Sequence, residues 1–150
     1  MPSLLRAALL GLATGGRSTS GLAALTLTNP SSDGLLGNRW TRRLAGTATA
    51  GELLGDKLPQ TPSRLQPEGL LPRLACGAVA GAILGSREGG SRRRTALASV
   101  VGLLGAAAGS RLGVAWRQQA DRRFGADLPG ALLEDAWVLS AARYASRPRD

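Results

Sequence analysis

Apolar and polar positions fall in blocks along this chain, and the blocks predict helices. Leu4–Thr14 is apolar, Gly15-Gly16-Arg17-Ser18-Thr19-Ser20 interrupts it, and Gly21–Thr28 is apolar again. One straight helix over both halves would span about 40 Å, more than a hydrocarbon core of about 30 Å. The spacing therefore predicts a broken or re-entrant first segment. Such a break is tolerated in lipid only where protein or a wet cavity shields it. Asn29–Asn38 (NPSSDGLLGN) reads as a loop. A helix is predicted from about Thr41 to about Lys57, stopping before Pro59. QTPSRLQPEG, bracketed by Pro59 and Pro67, reads as an extended linker. Further helices are predicted over Leu70–Ser86, Thr95–Trp116 and Leu128–Tyr144, with WRQQADRRFGAD as a polar connection before the last. Pro129 suits a first helical turn.

Composition decides what kind of helical protein this is. Among 150 residues there are 21 glycines, and only 3% are aromatic. A soluble core usually draws on aromatic rings for buried area. Helices rich in Gly, Ala and Ser are instead how lipid-embedded bundles pack, because small residues let backbones approach. Gly77, Gly81 and Gly85 recur at four-residue steps, as do Gly105, Gly109 and Gly113, while Gly51 and Gly55 continue a stripe from Leu44 and Ala48. Trp40, Trp116 and Tyr144 each lie beside arginines at segment ends, as an interfacial belt requires. Against this, the longest uncharged run, Thr95–Ser110, has 16 residues, short of the 18 or so that mark a spanning helix.

The net charge of +9 fits a nucleic-acid surface or the loops of a membrane protein. Single-strand binders interleave cations with stacking aromatics, which are scarce here, so no nucleic-acid partner is expected. With no histidine and one cysteine, Cys76, the usual zinc and transition-metal ligand sets, the common catalytic triads and an intrachain disulfide are all excluded. Neither metal nor cofactor is expected. GLATGGRS has phosphate-loop spacing with Arg17 in the lysine's place, but the preceding RAALL reads as helix where that loop requires a strand.

One wording recurs. Gly11–Arg17, Gly81–Arg87 and Gly105–Arg111 each read G-x-x-x-G, then Gly or Ser, then Arg. GELLGD (51–56) and GALLED (130–135) resemble each other in turn. A duplicated unit would account for both, as in transporters built from repeats; chance similarity in a Gly/Ala/Leu-rich chain is the alternative.

Position along a segment sets the cost of a charge. Arg73, Arg111 and Arg143 lie within a turn or two of predicted helix ends, where they can snorkel. Arg17 stands mid-segment. A charge at the bilayer centre costs about 2.5–3.5 kcal/mol, while each leucine returns about 0.3–0.6. Arg17 therefore needs a partner. The acids within apolar helices are Glu52, Asp56, Glu134 and Asp135. Glu52 and Asp56 are one turn apart and repel unless a cation lies between them. Arg17, with Arg111, is expected to converge on these acids in a polar centre. Ser18, Thr19, Lys57, Thr61, Ser63 and Arg64 would supply further polar contacts. Two uses remain open: an ion-pair network that fixes helix register, or a path for a substrate or ion.

The phrases RAALLGLATGGRSTSGLAAL, AGELLGDKLPQTPSR, RLACGAVAGAILG and ALLEDAW together resemble the bacterial membrane-protein family called domain of unknown function 4126. The likeness covers nearly the whole chain, and E-x-x-x-D-K-x-P-x-T-P-S-R is its most specific part. It implies a multi-pass membrane protein and supplies no activity or catalytic residue to carry over.

The expected fold is thus all-α: a small integral membrane bundle of four to five short, glycine-rich segments in the cell membrane, with lipid as its surroundings. Loop charge predicts REGGSRRR and the C-terminal tail on the cytoplasmic side and WRQQADRRFGAD opposite. A small transporter or channel-like role is the first expectation, with a homodimer as the natural way to enclose a path. A non-transporting membrane scaffold is the second, and a soluble basic nucleic-acid-binding protein the third.

Overall fold

The computed structural model describes residues 2–28, 38–55, 65–89, 91–125 and 127–147, with the helical backbone alone at 52–55 and 127. Among the described residues it is all-α. The six helices are α1 (Ser3–Gly16), α2 (Ser20–Leu27), α3 (Arg39–Gly55), α4 (Pro67–Arg87), α5 (Arg92–Phe124) and α6 (Asp127–Ser146).

The opening segment breaks where Gly-Gly-Arg-Ser-Thr interrupts it. Arg17 leaves the helix in an extended conformation (φ −138°, ψ 114°), and α2 then folds back along α1. A Cβ added to Gly21 would overlap the Thr14 hydroxyl and stand 3.3 Å from the Leu10 carbonyl oxygen, which is reachable only if the two helices lie side by side. At its far end α2 comes back level with the start of α1. Thr28 Oγ1 donates to Ser146 O at 3.2 Å, Arg87 donates to Leu25 O at 3.1 Å, and Arg6 donates to Ala145 O at 2.8 Å. The first segment is therefore a helical hairpin with Arg17–Thr19 at its tip.

Glycine sets the packing of this hairpin. Gly102 of α5 lies between Gly11 of α1 and Gly77 of α4, close enough that a Cβ on any of the three would overlap a facing carbonyl or side chain. Gly81 meets Ala98, Gly105 meets Ala8 and Gly11, and Gly109 meets Leu12. These contacts run α1 parallel to α5, and α4 antiparallel to it. α6 lies antiparallel to α1, with Ala145 beside Arg6 and Asp135 beside Arg17. The buried apolar cluster is correspondingly made of small residues around Leu10, Leu25 and Leu84. α3 packs on the bundle chiefly through α2.

α5 departs from expectation. WRQQADRRF continues the helix to Phe124 instead of forming a connection. Arg, Gln and Ala are good helix formers, and neither Gly nor Pro intervenes before Gly125. Gly125 then closes the helix in the left-handed region (φ 62°), its N–H donating to Asp121 O at 2.8 Å. The three G-x-x-x-G-(G/S)-R phrases also diverge. Arg17 is at the hairpin tip, Arg87 ends α4, and Arg111 is an exposed mid-helix residue of α5. They share wording without sharing a setting.

Arg6 ties the opposite end together. Its guanidinium is buried and donates to Ala145 O, to Arg147 O and to Glu88, so it caps the carbonyls that end α6 and pairs with the acid that follows α4. Each hydrogen bond from a charged group is worth about 1.5–3 kcal/mol. Arg6→Met is expected to lower the unfolding midpoint and to speed carboxypeptidase trimming of the C-terminus. Trimming at the wild-type rate would count against the cap.

Candidate functional site

The polar centre forms at the hairpin tip. Arg17 is 0% exposed. It reaches across to α6, where Nε donates to Asp135 Oδ1 at 2.8 Å and Nη2 donates to the same oxygen. The break supplies its own hydrogen bonds: Ser20 Oγ donates to Arg17 O at 2.8 Å, and Ser110 Oγ lies 2.9 Å from Ala106 O and 3.3 Å from Gly15 O. Gly15 O is one of the carbonyls that the end of α1 leaves without a helical partner, and a hydroxyl from α5 answers it. Thr19 and Thr49 share a hydrogen bond at 3.1 Å, bringing α3 to the tip.

Glu134 and Asp135 are neighbours on α6 and so point in different directions. Asp135 serves Arg17, while Glu134 faces Arg117 of α5, with Arg117 Nη1 3.7 Å from Glu134 Oε2. The described centre therefore holds two cations and two anions, from α5, α6 and the break between α1 and α2. Glu134, buried to 5% exposure, also lines a recess of about 370 Å³. Its walls are Gly16, Gly109, Leu112, Gly113, Trp116, Leu133 and Trp137. Trp116 is held there by its indole N–H, which donates to Gly130 O at 3.0 Å.

The expected members of the centre meet different ends. Arg17, Glu134 and Asp135 come together, with Ser18 half-buried beside them. Arg111 does not join: it is exposed, its guanidinium 3.5 Å from Ala107 O one turn back on its own helix. Asp56, Lys57, Thr61, Ser63 and Arg64 lie outside the described residues, and so do the side chains of Glu52 and Gly55. At Gly51 an added Cβ would meet nothing within 4 Å among the described residues. Gly77, Gly81, Gly85, Gly105 and Gly109 are packed against neighbouring helices, and Gly113 is buried beside the recess. Arg73, expected at the surface, is buried, and its Nη1 donates to Gly69 O at 2.6 Å in its own first turns. Arg117 was missed because it fell in the stretch read as a connection. The usable signal was the absence of any helix breaker before Gly125. Among the described residues no cluster of acidic, histidine or cysteine side chains could hold a metal ion.

No family model, curated protein or solved structure matches the chain.

Proposed function

We propose that this chain is a small multi-pass membrane protein, and that the charged centre at the hairpin tip is where a substrate or ion meets it. The observation that carries the reading is the fully buried guanidinium of Arg17, paired with Asp135 at a break between two helices. Charges within membrane segments face bundle interiors, pair with one another and mark pathways. Broken helices meeting near mid-depth are how many transporters build their sites.

Two further features support the membrane setting. α4 and α5 are long and apolar enough to cross a bilayer. The exposed surface is also inverted relative to a soluble protein: Leu71, Leu104, Leu112, Leu128, Leu132 and Leu133 are more than half exposed while the interior holds glycine, alanine and arginine. Glu88 of REGGSRRR and Arg147, just past α6, also meet at one end of the bundle through Arg6. That common end is the cytoplasmic one under the positive-inside rule. The resemblance to domain of unknown function 4126 agrees with this setting.

The recess beside Glu134 gives the centre a lateral opening, which favours transport over a purely structural role. The scaffold reading draws on the balance of the described charges and the close glycine packing, since both suit a fixed block of helices. The two differ in one measurement. Glu134→Gln is expected to insert and fold normally in proteoliposomes yet lose at least about tenfold in ion or solute flux. Unchanged flux, or wild-type protein with none above protein-free vesicles, would leave the scaffold reading standing.

A further inference from the structure

A second opening lies on the other side of α6, between α6 and α3 with α2 as its floor. This groove holds about 660 Å³ and exists because the residues along it are small: Ala23 and Ala24 of α2, Gly46 and Ala50 of α3, and Ala142 of α6. Most of its surface is apolar. Its two charged lining residues are Arg143, in the last turn of α6, and Arg147, just past the end of that helix, so both stand at one end of the groove, and no acid among the described residues lines it. α3 packs on the bundle chiefly through α2, and among the described residues nothing closes the slot between α3 and α6.

We propose that this groove binds an anionic phospholipid, an acyl chain lying over Ala23, Ala24 and Ala142 and the phosphate between Arg143 and Arg147. The inference rests on the membrane reading above. Charge complementarity selects the headgroup: two arginines with no carboxylate opposite them among the described residues suit a phosphate, and guanidinium binds phosphate through paired donors. Depth selects a lipid over a soluble anion. The arginines occupy the end of the bundle shared with Arg87 and Arg92–Arg94, which is the cytoplasmic, anionic face under the positive-inside rule. The apolar lane runs inward from there, past Leu27 towards Ser20.

The test uses the full chain purified in detergent, titrated with phosphatidylglycerol, with phosphatidylcholine of the same acyl length, and with glycerol phosphate, reading the melting midpoint. Phosphatidylglycerol alone is expected to raise it. R143Q/R147Q should need about thirty-fold more phosphatidylglycerol for half the effect, given the usual contribution of two basic side chains at an anionic surface. Gly46→Leu fills the groove from a position where an added Cβ meets nothing within 4 Å, so it should fold and lose the response. An equal rise with phosphatidylcholine, saturation by glycerol phosphate, or an unchanged titration in R143Q/R147Q would overturn the proposal. So would a dimer that Gly46→Leu dissolves without any lipid dependence, because a second copy would then cover the groove. Alkaline carbonate extraction of cell membranes separates the two readings. Protein that stays in the membrane but ignores phosphatidylglycerol removes only the groove proposal, whereas protein that washes off removes both.

Discussion

Asp135→Leu and Arg17→Met are each expected to destabilise the protein by about 3–5 kcal/mol, and the two together by much less than the sum. Each single change removes a hydrogen-bonded partner from a charge that the fold holds away from water, and breaking a buried pair costs an amount of that order. Removing both charges leaves neither to be compensated, and an apolar pair of similar volume is often neutral. Arg17 is 0% exposed and Asp135 nearly buried, so solvent screening discounts these values little. Geometry sharpens the expectation, because two guanidinium nitrogens converge on one carboxylate oxygen. A double-mutant cycle on denaturant midpoints in detergent measures the coupling directly. A coupling below about 0.5 kcal/mol would mean that the pair does not hold the hairpin against α6. Arg17→Lys separates charge from shape: it keeps the cation and loses the fork, so partial rescue is expected.

That pair was partly legible in the sequence. A cation in the middle of an apolar segment requires an anion, and Glu134 and Asp135 are two of the four acids that the apolar helices offer. The pattern does not choose between the two neighbours. Which of them faces the hairpin depends on the rotation of α6, and that is fixed by Val138 and Gly16 packing together rather than by any local pattern. The break at Arg17 was legible for a local reason: two glycines followed by Ser-Thr-Ser offer the backbone other hydrogen bonds than the helix. That the break turns the chain back on itself was not, because Gly21 reads as one more small residue until Thr14 and Leu10 are placed beside it. Arg6 is the only charged side chain before Arg17, with no local sign of a partner. Its burial follows from the end of α6, some 140 residues away along the chain, being brought to it.

Gly102→Ala should be the most damaging single methyl in the molecule, while Gly51→Ala should be neutral or stabilising. Alanine is the better helix former by about 0.5–1 kcal/mol, so with no packing term both changes would help. At Gly51 no described residue supplies a packing term, because none lies within 4 Å of the added carbon. At Gly102 the carbon would overlap the carbonyl oxygen of Gly77 and stand 3.2 Å from Gly81 Cα. Those are backbone atoms of α4, with no side chain able to swing aside, so the helices themselves must separate. Overpacking of this kind costs about 1–3 kcal/mol and sometimes more, enough to reverse the gain in propensity. The damage should also spread, because Gly102 lies against Gly11 as well as Gly77 and displacing it loosens α1 and α4 together. Gly81→Ala presses on Ala98 and Ser99 of α5 and Gly109→Ala on Leu12 of α1, so each acts on a single seam. Each should cost less than Gly102→Ala, and the two should add, since they act on different seams. Denaturant midpoints for the four variants give the ranking. If Gly102→Ala melted with or above Gly51→Ala, the close approach of α1, α4 and α5 would not be what holds the bundle together.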